Sequence, residues 1–238
     1  MLKFIKKIIK NILKKIFCSE NKQIEKILKN FNCNFTLLDI GALPIGNSKP
    51  RFHKILEYFP SSEIIGFEIE KEVCDQMNSK APEGIKYFPF ALGENNEKRK
   101  IYITEHPMCT SLYKPNEKLL NLYHELQYMN LKKETEIETI TLDSFVDKYS
   151  IDEIDFLKID VQGAELDIFK GAKKSLNNVL KIVCEVEFVP LYHEQPLFGD
   201  ISKFLSQYNF MFNKFLGLSG RTLKPLIANK DKTIGSQH

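Results

Sequence analysis

Three carboxylates fall where predicted strands end: Asp39, Glu68 and Asp160. In an open α/β sheet the carboxyl ends of the strands face the ligand crevice, so acids at these points are placed for chemistry. Asp39 begins Asp39-Ile40-Gly41-Ala42, a glycine turn that lets backbone N–H groups and a helix start approach a ligand. Glu68 follows 29 residues later, suited to accept hydrogen bonds from a ribose diol. Asp160 either caps the helix after it or serves as a general base. Glu165 and Glu185 could orient that base or its substrate; otherwise Glu165 is a first-turn helix carboxylate and Glu185 a solvent contact at a strand end. His193 is the alternative base, or a histidine on a surface loop. Asp160, Glu185 and His193 lack the tight spacing of a ligand set, so no metal is expected. His53, His106 and His124 show no partner pattern.

Elements of alternating type must hold these groups. The stretch Asp155–Ala172, DFLKIDVQGAELDIFKGA, begins as a buried strand through Phe156, Leu157 and Ile159. It turns at Val161-Gln162-Gly163 and continues as a helix from Ala164 to Ala172. Upstream, strands are predicted at Phe35–Ile40, Glu63–Ile69 and Ile85–Phe90, with helices around Phe52–Phe59 and Lys71–Lys80. Arg99–Thr104 and Thr135–Ile140 read as further strands and Asn116–Met129 as helical. Residues 94–140 are expected to be an insertion over the crevice, without a core of their own. Downstream, Leu180–Val186 is a strand, Phe188–Phe198 a polar-aromatic loop, Asp200–Gln207 a helix and Asn209–Phe215 a last strand. Strand–helix alternation implies a doubly wound, mostly parallel sheet with helices on both faces, because parallel strands need crossovers.

Composition narrows the function. A chain of 238 residues with 43% hydrophobic and 27% charged content suits one globular domain. No apolar run approaches the roughly 20 residues that cross a bilayer. No secretory signal is expected, since lysines interrupt the opening residues. Five cysteines without a Cys-x-x-Cys pair fit reduced thiols in a cytoplasmic protein. Residues 1–17 hold six lysines and no acid. Without those six, 28 basic residues face 31 acidic ones, so the whole chain is at +3 but its body at −3. MLKFIKKIIKNILKKIF places its isoleucines on one helical stripe opposite most lysines. Such a helix can lie on an anionic membrane, or it packs on its own domain or a partner. The body suggests no nucleic-acid groove. The glycine turn and the acid at Glu68 also suit a nicotinamide-dependent oxidoreductase, but the full G-x-G-x-x-G is absent.

The run Lys158-Ile159-Asp160-Val161-Gln162-Gly163-Ala164-Glu165-Leu166, then Lys170-Gly171-Ala172, closely resembles the signature of the FkbM-type S-adenosylmethionine-dependent methyltransferases. The resemblance covers roughly residues 36–216 and includes Leu38–Ala42, Gly66-Phe67-Glu68, Ala91-Leu92-Gly93, Thr141–Phe145, and Glu185 through Leu191-Tyr192. It implies the class I methyltransferase (Rossmann-like) fold, S-adenosyl-L-methionine as cofactor, and methyl transfer, commonly to a hydroxyl oxygen of a sugar or polyketide. Carried over, Asp39, Gly41 and Ala42 would line the methionine end of the cofactor, with Gly46 in the same loop. Glu68 would hold the ribose, and Phe90 and Ala91 would border the adenine. Departures exist. Leu43-Pro44-Ile45-Gly46 is one residue longer than the usual loop and lacks its Asn, Ile69 replaces the usual Pro, and the chain stops at His238 where relatives begin a final antiparallel strand. The expected activity is O-methylation of a glycan or glycolipid precursor, the acceptor being a glycan or small molecule. The rivals are the oxidoreductase and a non-catalytic, membrane-tethered binding module.

Overall fold

The computed structural model describes residues 33–42, 51–227, 229 and 233–234. The amphipathic segment 1–17 and the loop Leu43-Pro44-Ile45-Gly46 lie outside the described residues. The chain divides into two compact units: one takes residues up to Pro89 with Ile151–Lys158 and Asn178–Val183, the other Phe90–Ser150, Ile159–Asn177 and the chain from Cys184 on.

The first unit is built on strands β1 (Thr36–Ile40), β2 (Glu63–Phe67), β3 (Ile85–Phe88), β7 (Phe156–Ile159) and β8 (Lys181–Cys184). They form one sheet in the order β3-β2-β1-β7-β8. β1 pairs parallel with β2, Leu38 opposite Ile65 and Ile40 opposite Phe67, and β2 pairs parallel with β3. Both are near-continuous apolar runs, as strands covered on both faces require. Helices α1 (Ile55–Tyr58) and α2 (Lys71–Lys80) fill the connections on either side of β2. Phe35, Leu37, Ile55, Phe59, Ile64 and Phe156 make the core, Phe35 and Phe59 meeting edge to face at 5.0 Å between ring centres. This is the expected Rossmann-like arrangement, a mostly parallel sheet crossed by helices.

The second unit carries a smaller sheet, β4 (Ala91–Leu92), β6 (Leu131–Ile140) and β5 (Glu97–Thr104), in that order. β5 and β6 are an antiparallel pair, Ile101 opposite Thr135, and β4 lies parallel to β6. Its helices are α3 (Glu117–Leu120), α4 (Leu142–Tyr149), α5 (Glu165–Lys170) and α6 (Phe198–Ser206). Thr141 caps α4 by accepting the Ser144 N–H at 3.0 Å. Within residues 94–140, Cys109, Leu120, Leu126 and Met129 form an apolar cluster together with Tyr192 from the later chain.

Two expectations are corrected. Asn116–Met129 is not one helix; after α3 the chain turns at Glu125 (φ +62°), and Tyr123 and His124 bond instead to the backbone around Thr222 and Leu223. Asn209–Phe215 is not a strand. Its alternation serves rings rather than a ladder: Phe212 and Phe215 pack with Phe198 and Phe188, at centre separations of 4.7 to 5.7 Å. At the chain's end β9 (Gly220–Arg221) pairs antiparallel with β10 (Thr233–Ile234), while Leu223 contributes a single bridge to Tyr123.

Candidate functional site

In the first unit, β1 carries Asp39 to a depth of 3% exposure. A carboxylate so buried is costly unless a cation meets it. Lys158, the one charged residue within the apolar β7, meets it with its ammonium 3.1 Å from Oδ1. The same ammonium donates to the Gly41 carbonyl at 2.9 Å. Gly41 sits at φ +76°, a left-handed conformation that a side chain rarely adopts, so the turn needs glycine there. Ala42 follows, its N–H donating to Phe67 O at 3.1 Å. Glu68 comes directly after β2, buried, its N–H bonded to Phe88 O and its Oε1 accepting the Glu70 N–H at 3.0 Å. Burial pushes the Glu68 carboxyl above the ordinary value, with the Glu70 N–H pulling against it. Tyr87 is also pushed up, first by burial and then by the Asp39 charge.

In the second unit, Asp160 follows β7 and belongs to a group of four acids with Glu165, Glu185 and Glu187. Glu165 is fully buried at the start of α5; its Oε1 accepts the Val161 N–H at 2.9 Å, while no hydrogen bond reaches Oε2. Burial first, offset by backbone N–H groups and reinforced by Asp160, pushes Glu165 up to about 7. Glu185 directly follows β8, open to solvent on one side, and burial of the rest with its bond to Asp160 pushes it up to about 9. Burial and the charges of Glu165 and Asp160 push Glu187 up to about 8. Among the described residues, no cation is a cause of these three shifts. What joins the group is amides: Gln162 Nε2 donates to Asp160 Oδ1 at 3.1 Å and Glu185 Oε2 at 2.6 Å, and Gln195 Nε2 donates to Glu187 Oε2 at 2.7 Å. Tyr192, entirely buried, donates its hydroxyl to Cys109 O at 2.9 Å and its N–H to Gln195 Oε1 at 3.1 Å. Gly163, at φ +101°, packs on Gln195, so the turn after Asp160 leaves no room for a side chain.

Such an arrangement can take up a proton near neutral pH, because burial first, and like charges at close quarters second, hold these glutamates protonated above their usual range. Asp160, Glu165 and Glu185 are thus brought together. His193 stands apart: its side chain is exposed, and among the described residues its bond is a backbone one, N–H to Lys114 O at 2.8 Å. Phe90 and Ala91 belong to the second unit, where the Phe90 ring meets Phe145 and Tyr149 and Ala91 pairs with Thr139. Asp167, next along the same helix, is committed to structure by Arg99 at 2.5 Å and the Tyr113 hydroxyl at 3.0 Å.

Sequence reasoning missed Lys158, Gln162, Glu187 and Gln195 as site residues. A lysine inside the apolar run Phe156–Ile159 was a usable signal, since a buried cation implies an acid opposite. Nothing local marked Gln195.

Residues 39–212 match the family described as the methyltransferase FkbM domain. The chain is also similar to the 2-O-methyltransferase NoeI of Sinorhizobium fredii, 23% identical over 196 residues, which covers 79% of this chain and 77% of that protein. No solved structure matches.

Proposed function

The chain belongs to the FkbM methyltransferase family, and from that premise we propose that it transfers a methyl group from S-adenosyl-L-methionine to a hydroxyl oxygen of a glycan or glycolipid precursor. The observation that carries the reading is the gathering of Glu165 and Glu185 around Asp160, within a family of methyltransferases. S-adenosylmethionine supplies, when bound, a methyl group on a sulfonium. The residues of the first unit fit that cofactor. Glu68 is an acid after β2 with the acceptor chemistry a ribose diol needs, and Gly41 and Ala42 form a turn held by the Lys158 ammonium. Asp39 keeps that ammonium in place.

A hydroxyl acceptor must lose its proton as the new bond forms, and a positioned base contributes typically 10²–10⁴-fold. Asp160 is the base in this reading, with Glu185 taking a share of the proton and Glu165 keeping the group's charge high. The relative named a 2-O-methyltransferase supports oxygen as the target atom. Family membership disfavours the oxidoreductase. Work at the inner face of a membrane, through residues 1–17, would confine enzyme and lipid-linked acceptor to one plane; among the described residues no helix is long and apolar enough to cross a membrane.

The test is incubation of the full chain with methyl-labelled S-adenosylmethionine and a cell extract fractionated into glycans, lipids and small metabolites. Alkali-stable label in the glycan or glycolipid fraction is expected. Cofactor binding without any transfer would favour the binding module instead.

A further inference from the structure

Gln162 occupies a conformation its residue type seldom adopts. Its φ is +58°, costly for a side chain of this length, and it is pinned there by Ser111, whose hydroxyl donates to its carbonyl at 2.6 Å. Behind it Gly163 is packed on Gln195. The side-chain amide nitrogen has two hydrogens, and two carboxylates accept them, Asp160 at 3.1 Å and Glu185 at 2.6 Å. The amide oxygen points the other way, 3.4 Å from the Tyr192 hydroxyl. Without such a bridge Glu185, which is open to solvent, would move away from its like-charged neighbour.

We propose that Gln162 is a positioning residue that clamps Asp160 and Glu185 into one proton-sharing pair, and that the remaining negative charge of this singly protonated pair, rather than either acid alone, receives the acceptor's proton. The proton's origin rests on the methyl-transfer reading; the clamp does not. The titratable groups facing the pair are Glu165 from α5, Glu187 and Cys184 from the chain around Glu185, Cys109, and Tyr192. Of these, the acids Glu165 and Glu187 push the pair's upper protonation step in the same direction as the clamp does.

The experiment is a pH titration of the full chain carrying ¹³C-carboxyl aspartate and glutamate, followed by NMR, with Asp160→Asn and Glu185→Gln used for assignment. In the wild type two well separated steps are expected, the upper one above neutrality. In Gln162→Leu the upper step should fall by at least one pH unit, a tenfold loss in proton affinity, as Glu185 swings into solvent. Gln162→Asn tolerates the left-handed backbone but is one methylene short, so it should behave alike and serves if the leucine variant does not fold. Unchanged steps in a folded variant overturn the clamp. A rise does so as well, because it would make Gln162 a mere donor to charged oxygens. No acceptor is needed, so absent methyl transfer would overturn the enzymatic reading and leave the clamp standing.

Discussion

The Lys158 ammonium lies 3.1 Å from the Asp39 carboxylate and donates to the Gly41 carbonyl at 2.9 Å, so one side chain fixes both the acid and the turn after β1. Lys158→Met removes the cation from a carboxylate that is 3% exposed. Breaking a buried pair in this way costs about 3 kcal/mol, the lower end of the range because the ammonium removed was itself partly hydrated. Urea unfolding should show that loss, and Asp39→Asn in the same chain should restore part of it. Equal stability of Lys158→Met and wild type would reduce the pair to a surface contact.

Glu68→Ala tests the cofactor. If the carboxylate grips the ribose hydroxyls, S-adenosylmethionine affinity should weaken by about 1.5–3 kcal/mol, the range for hydrogen bonds to charged groups. Calorimetry on the folded variant decides, and unchanged affinity removes Glu68 from the site.

Asp160→Asn preserves shape and abolishes the carboxylate. Turnover should fall by about 10²–10⁴-fold with cofactor affinity little changed. His193→Ala, whose side chain is exposed, should leave turnover near wild type. The opposite pair of results in a labelled-methyl assay would move the base to the loop.

Stability should decline as pH rises from about 5 to 9. Glu165, Glu187 and Glu185 are held at about 7, 8 and 9 against 4.5 for an ordinary glutamate. In that window the folded chain binds more protons than the unfolded one, so each rise in pH favours unfolding. The loss begins above 4.5 and is complete once the folded groups have ionised. Tm measured across the range should fall, and Glu185→Gln should flatten the alkaline part of the curve. A flat wild-type profile would mean that the acids are not held together.

Residues 1–17 lead to a prediction about membranes. Each of six lysines near an anionic surface contributes on the order of 1 kcal/mol, screened within a Debye length. Sedimentation with anionic vesicles should show binding that weakens at high salt and is lost on deleting residues 1–17. Equal binding to neutral vesicles contradicts electrostatic docking.

What the sequence determined by itself was the local and the repetitive. Apolar runs such as Thr36–Ile40 and Phe156–Ile159 specify buried strands, because burial on both faces leaves few polar choices, and their alternation with helices specifies the parallel sheet. Asp39, Glu68 and Asp160 could be placed at strand ends for the same reason. Tertiary structure decided what meets what. Lys158 and Gly41 lie 117 residues apart in the chain, and Gln162 and Glu185 lie 23 apart, distances over which no periodicity carries information. Asn209–Phe215 has the alternation of a strand, yet its phenylalanines pack on Phe188 and Phe198 and its backbone joins no sheet among the described residues. The elevation of Glu185 belongs to that same class of fact, because burial and the Asp160 carboxyl that the fold brings to it, 25 residues away in the chain, do most to raise its proton affinity.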